Sequence, residues 1–190
     1  MIRDRGGPPG GSIADPPIAR ALFGETRWAW VWVVPRLYVG AAWGEAGWAK
    51  WHSPAWTGTD AGTALSRFVT EALAKTGGRH PDVPWWYARF LADLVQPYPR
   101  FWSYLVSTGE LLVGVALLLG LFTGLAAFFG GLMNMSYLLA GTVSTNPLLF
   151  IGATLLMLAW KTAGWWGLDR WLLPALGTPW QPGPLLGRAS

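Results

Sequence analysis

The chain has 190 residues, of which 52% are hydrophobic and only 13% charged, with a formal charge of +4 and no cysteine. Soluble domains carry about 25% charged residues, so the balance argues against an ordinary water-exposed fold. The missing cysteine excludes disulfides, thiolate chemistry and Cys-ligated clusters, and no basic run interleaved with aromatics points to nucleic acid.

Residues 1–27 read as a flexible tail with a short interfacial helix at Ile18–Gly24, because Met1 to Asp15 is rich in Gly and Pro and lacks the apolar core of a signal peptide. Arg20 and Arg27 beside Trp28, Trp30 and Trp32 mark a membrane–water boundary, where tryptophan keeps its ring apolar and its N–H wet. A first span runs from Trp28 to Lys50. Pro35 either kinks it or sets the start of its straight part. Gly40 and Gly44, one turn apart, give it a flat face for close helix approach.

Residues 51–99 form a polar excursion. Within it Asp60–Lys75 is amphipathic, with Leu65, Phe68, Val69, Ala72 and Leu73 at helical spacing. Thr59 or Asp60 is placed to cap its start and Gly77-Gly78 to end it. Val83-Pro84 opens a second short helix whose apolar side is Trp85, Trp86, Phe90, Leu91 and Leu94. Such faces need a cover, so the two helices are expected to lie on the membrane surface or to cap the bundle.

The stretch Leu111–Trp160 contains no Asp, Glu, Lys or Arg. As one helix it would be about 75 Å long, against a hydrocarbon core of about 30 Å, so it must fold back. Breaks at Gly120–Gly124 and Gly141–Pro147 divide it. Spans two, three and four are therefore expected at Arg100–Leu119, Thr123–Ala140 and Pro147–Thr162. Lys161, Trp165, Trp166, Asp169 and Arg170 mark the return to an interface, and residues 173–190 read as a Pro/Gly-rich tail.

The expected fold is all-α: a four-helix transmembrane bundle over residues 28–172, with an extracytoplasmic cap of two short helices between spans one and two. Arg3, Arg5, Arg20 and Arg27 before the first span, and Lys161, Arg170 and Arg188 after the last, place both termini in the cytoplasm of a multi-pass plasma-membrane protein.

Ionisable groups inside spans cost several kcal/mol each unless paired or watered, by about this scale. That singles out Arg36, Glu45 and Glu110. Depth counted along the spans predicts an Arg36–Glu110 ion pair, with Glu45 and Lys50 nearer the outer face. Trp43, Glu45, Glu110 and Asn134 are candidates to line a polar pocket that would take a quinone headgroup. Asn134 would donate a hydrogen bond, Trp43 would form a wall and Glu110 would relay protons. His52 and His80 both lie in the excursion and read as solvated loop residues. With no histidine in a span and no ligand spacing, neither an intrinsic haem nor a metal site is expected.

Several segments together resemble the DoxX/DoxD family of small membrane proteins. They are Arg36-Leu37-Tyr38-Val39-Gly40 with Gly47-Trp48-Ala49-Lys50, and Gly109-Glu110-Leu111-Leu112-Val113-Gly114 with Leu117–Thr123. Leu139-Ala140-Gly141, Ser144-Thr145-Asn146-Pro147 and Gly167-Leu168-Asp169 continue the likeness, which covers residues 28–172. The long excursion with Pro54-Ala55-Trp56 is closer to the DoxD branch. The resemblance implies four membrane helices and family-pattern positions at Arg36, Lys50, Glu110, Asn146 and Asp169. It also implies kinship with a subunit that passes electrons from thiosulfate to membrane quinone together with a second subunit.

The expected function is a membrane subunit of a quinone-linked oxidoreductase complex, with no intrinsic cofactor and with quinone, lipid and a second subunit as candidate partners. Self-association into a homo-oligomer is compatible with the same reading. The alternatives are a non-catalytic scaffold that anchors a partner protein, or a small-solute transporter.

Overall fold

The computed structural model of the chain describes residues 14–177. Arg3, Arg5 and Arg188, and the tail beyond residue 177, lie outside the described residues. Every regular element among the described residues is helical.

Helix α1 (Pro17–Gly24) leads through a 3-10 turn at Thr26–Trp32 into α2 (Val33–Trp51). Pro35 sits in the first turn of α2, where its missing N–H removes no helical bond, so it marks the start of the straight segment and not a kink. The excursion folds into α3 (Thr63–Leu73) and α4 (Trp85–Phe90), the latter continuing as a π-helical turn at Leu91–Val95. Neither Thr59 nor Asp60 caps α3. Gly62 precedes it at φ 97°, and a Cβ there would lie 2.8 Å from the Arg100 backbone nitrogen, so only glycine fits this turn.

Four further helices follow: α5 (Pro99–Leu119), α6 (Thr123–Leu139), α7 (Asn146–Leu158) and α8 (Asp169–Leu176). The turns fall where glycine and proline predict them. Gly120 adopts φ 63° and Gly141 φ 70°, and Pro147 lies in the first turn of α7. The C-terminal tail begins later than residue 173, because α8 carries Pro174 near its end, where little helix remains to be broken.

Helices α2, α5, α6 and α7 pack in a closed cycle, each against the next, with α2–α5 the most extensive pairing. Glycine makes that pairing close. A Cβ on Gly114 would sit 2.3 Å from the Gly44 nitrogen, and one on Gly47 would sit 2.4 Å from the Leu111 nitrogen. Gly40 meets Leu117 and Leu118 in the same antiparallel register. Helices α3 and α4 cover one end: Leu65, Val69, Ala72, Val83, Tyr87, Leu91 and Val95 cluster with Ala140, and Trp102 and Leu139 pack against them.

Large apolar side chains lie on both sides of these helices, in a core of Trp32, Val39, Trp43, Val113, Leu117, Leu149 and Leu156 and across the outer surface. The interior faces of these helices hold Gly40, Gly114, Ser103, Ser107, Glu110, Ala127, Gly130 and Asn134. Leu105, Leu112, Leu125, Phe128, Leu132, Ile151 and Leu158 point outward. Small and polar residues at the helix contacts beneath an apolar outer surface are expected when hydrocarbon surrounds the helices, and so large a greasy surface would aggregate in water.

Among the described residues, α5 is the one helix of span length and hydropathy. Helices α6 and α7 are apolar but shorter, at 17 and 13 residues. By rise per residue they reach about 26 Å and about 20 Å. The expected fourth span to Thr162 thus ends as a helix at Leu158, and turns carry the chain on to Leu168.

Candidate functional site

The last turn of α2 places Lys50 opposite the middle of α5. Its ammonium lies 2.6 Å from Glu110 Oε2. The Tyr137 hydroxyl, from the C-terminal part of α6, donates to Glu110 Oε1 at 2.5 Å. The Glu110 side chain is 1% exposed and that of Lys50 20%, so the carboxylate is enclosed while the ammonium reaches a wet edge. Lys50 Nζ also lies 5.1 Å from the Trp56 ring centre and 6.0 Å from that of Tyr137, within range of cation–π attraction. At the end of α2 its positive charge complements the helix dipole as well.

The loop after α2 is strapped over this point. Thr57 Oγ1 donates to the Trp51 carbonyl at 2.7 Å, Ser103 Oγ to the Trp56 carbonyl at 2.6 Å, and the Tyr104 hydroxyl to the Thr57 carbonyl. Trp56 is thereby held over Lys50. The three-residue network opens on a cleft of about 790 Å³ between α2 and the start of α7, whose walls include Trp43, Glu45, Trp56, Phe68 and Asn146. Trp43 stacks on Tyr137 with ring centres 6.4 Å apart, which fixes the inner wall.

Three of the four residues expected to share a pocket, Trp43, Glu45 and Glu110, do line this cleft, and Asn134 does not. Asn134 is fully buried on the inner face of α6, and neither of its side-chain polar atoms has a hydrogen-bond partner among the described residues. The indole nitrogen of Trp43 is similarly unpartnered and faces Gly130, one turn from Asn134.

The expected Arg36–Glu110 pair is not formed. The glycine contacts bring Gly47 level with Glu110 and Gly40 level with Leu117, which puts Arg36 near residue 122 of the partner strand of chain. Arg36 and Glu110 are therefore separated by about 18 Å along the helices, at 1.5 Å per residue over twelve residues. The α-helix proper begins only at Val33, so Arg36 stands in its first turn against Gly120 and Gly167, at the end of the bundle and not within the span. Arg36 instead donates to the carbonyls of Ala163 and Trp166, at 3.4 and 2.9 Å.

Asp169 lies at that same end. Its carboxylate accepts the backbone N–H groups of Phe122 at 2.6 Å and Thr123 at 2.8 Å, capping α6, and its own N–H donates to the Gly120 carbonyl at 2.8 Å. Anions are favoured at a helix N-terminus. Arg36 and Asp169 therefore lock the end of the protein opposite the cleft. Asn146, at the start of α7, donates to the Thr142 carbonyl at 3.2 Å and stands on the cleft rim.

Compared with known proteins, the DoxX family model matches residues 31–142. The chain belongs to the DoxX family. No curated protein and no solved structure matches it. The DoxX region takes in α2, the α3–α4 cover, α5 and α6, and so contains Lys50, Glu110 and Tyr137 but neither Asn146 nor Asp169. DoxX membership, α5 and the outward-facing apolar side chains together make this a membrane protein.

Sequence reasoning missed Tyr137 and the Lys50–Glu110 pairing. The signal for the pairing was present in Gly40, Gly44, Gly47 and Gly114, whose matched spacing sets the antiparallel register. Tyr137 is the one tyrosine in the uncharged tract Leu111–Trp160, so its hydroxyl was the available signal for it.

Proposed function

We propose that this DoxX protein is the quinone-interacting membrane subunit of an oxidoreductase complex. In this reading α2, α5, α6 and α7 all cross the plasma membrane, α3 and α4 cap the extracytoplasmic end, and both termini are cytoplasmic. The short α6 and α7 are accommodated by the turns that extend them and by local bilayer thinning. The observation that carries the functional reading is the Lys50–Glu110–Tyr137 network opening on an aromatic-walled cleft.

A quinone needs hydrogen-bond donors at its carbonyls, flat apolar walls and a route for protons. Lys50 supplies a donor at the cleft edge, and Trp43 and Trp56 supply walls. Glu110, bridging Lys50 and Tyr137, holds a carboxylate where a proton can be passed. Quinone reduction takes up two electrons and two protons. With no cysteine and with no histidine on α2, α5, α6 or α7, the electrons come from a second, cofactor-bearing subunit. Thiosulfate is the donor suggested by the likeness to the DoxD branch.

The test is to extract the full chain in mild detergent, analyse the extract for quinone, and titrate a short-tailed quinone while following tryptophan fluorescence. Glu110→Gln and Lys50→Met should each weaken binding at least about tenfold, the equivalent of one lost charged contact. Absence of quinone from the extract, together with identical titrations of wild type and variants, refutes the reading.

A scaffold role has one observation in its favour. Trp85, Trp86, Leu94, Tyr98 and Phe101 are all at least half exposed around α4 and the start of α5. Isolation with a stable partner protein but without quinone would select that role.

A further inference from the structure

A second cavity, of about 470 Å³, lies under the α3–α4 cover and against α5 and α6. Its inner wall includes Val69, Tyr87 and Leu91, all nearly inaccessible. Its outer edge is formed by Leu105 and Leu112 of α5 and Phe129 and Leu132 of α6, which are 47–63% exposed on the face turned to hydrocarbon. Gly109, at the floor, contributes no side chain.

The lining is almost wholly apolar. Most polar atoms near it are already engaged: Ser136 Oγ donates to the Leu132 carbonyl at 2.9 Å, the Trp102 indole N–H to the Leu94 carbonyl at 2.7 Å and the Tyr137 hydroxyl to Glu110. Water needs roughly two to four polar partners at a buried site, and the Tyr87 hydroxyl beside Ser136 falls short of that number. The volume falls within the roughly 300–1,000 Å³ of ligand sites. The mouth opens sideways between two apolar helices, not upward to solvent, so the molecules that can reach it are those already dissolved in the bilayer.

We propose that this cavity is a binding site for a single long hydrocarbon chain, entering from the bilayer between α5 and α6 and ending beneath the cap. Phe68 and Tyr137 line both this cavity and the polar cleft, and their rings meet edge to face at 5.9 Å. A chain seated here would press on the ring whose hydroxyl is bonded to Glu110. The site stands on its own geometry and does not require that the cleft bind quinone. An acyl chain of a phospholipid and the tail of an isoprenoid lipid share the required chemistry.

The experiment uses the full chain in nanodiscs of phosphatidylcholine carrying a trace of phosphatidylcholine with a diazirine at mid-chain. After irradiation, labelled residues are mapped by mass spectrometry. The expected result is label on Val69 and Leu91, which bulk lipid cannot touch, as well as on exposed Leu125 and Phe128. Gly109→Phe fills the floor, where a Cβ makes only an ordinary 3.5 Å contact with Met133 Sδ. Leu132→Trp obstructs the mouth from outside and guards against misfolding of the first variant. Each should cut labelling of Val69 and Leu91 at least about tenfold while leaving Leu125 labelled. Excess long-chain isoprenoid alcohol that displaces the label assigns the site to isoprenoid tails, and failure to displace it assigns the site to acyl chains. Wild type unlabelled at Val69 and Leu91, or labelled equally in both variants, overturns the proposal.

Discussion

Replacing Lys50 by Met is predicted to destabilise the protein more than replacing Lys50 and Glu110 together. In the wild type the enclosed Glu110 carboxylate has the ammonium at 2.6 Å and the Tyr137 hydroxyl at 2.5 Å. Lys50→Met leaves a buried negative charge with one neutral donor. Breaking a buried pair in this way costs about 3–5 kcal/mol. Because Lys50 is 20% exposed, water reaches the vacated position, and the lower end, about 3 kcal/mol, is expected. The double variant Lys50→Met/Glu110→Gln removes both charges and keeps an acceptor for Tyr137. Exchanging a whole buried pair for neutral groups is often neutral, so a cost under about 1.5 kcal/mol is expected. The assay is unfolding of the purified chain in mixed micelles by denaturing detergent, followed by tryptophan fluorescence. Quinone titration of the same three proteins separates stability from binding, since the double variant should fold well and still bind poorly. The reasoning fails if Lys50→Met lies within about 0.5 kcal/mol of wild type, the range of ordinary surface changes. It also fails if the double variant costs as much as the two single variants added together.

Gly114→Ala should cost about 1–3 kcal/mol by overpacking, because the new methyl meets the Gly44 backbone, which cannot move aside as a side chain would. Gly77→Ala is the control: nothing lies within 4 Å of that position, and its melting temperature should match wild type. Asp169→Ala strips the cap from α6 and should cost about 1–3 kcal/mol, chiefly through the buried Thr123 N–H left unbonded. Hydrogen exchange at the Thr123 amide should accelerate, and an unchanged rate would rule the cap out. Burial pushes the Tyr87 hydroxyl in the cap above its ordinary value, with the neighbouring Ser136 hydroxyl opposing more weakly. The neutral form is thus favoured in the folded state, so stability is unaffected below the unfolded value of about 10 and declines as pH rises beyond it. Tyr87→Phe should move the onset of alkaline loosening, read by tryptophan fluorescence, to higher pH, and an onset that does not move counts against the assignment.

Much of the local structure was legible from residue order. The charge-free tract, interrupted at Gly120–Gly124 and Gly141–Pro147, anticipated where α5 ends and where α6 and α7 begin. The period of Leu65, Phe68, Val69 and Ala72 anticipated α3 and its buried face. The lengths of helix were less legible. Turn formation after Leu158 and the 3-10 turn before Val33 depend on what each segment packs against, and hydropathy does not report that. The site was half legible. Trp43, Glu45 and Glu110 were picked out by type and position, whereas the partner of Glu110 was misassigned.

Sequence alone determined that this chain is helical, that its longest uncharged stretch belongs in lipid, and that a few ionisable groups are stranded among apolar neighbours. Those features follow from composition and period, which each segment carries within itself. Only the tertiary structure decided that Lys50 and not Arg36 neutralises Glu110, that Tyr137 completes the network, and that Asp169 caps α6 from 46 residues away. The reason is register. Backbone contacts at Gly44, Gly47 and Gly114 slide α2 against α5 to a single position, and a shift of three turns along a helix changes which charges can meet.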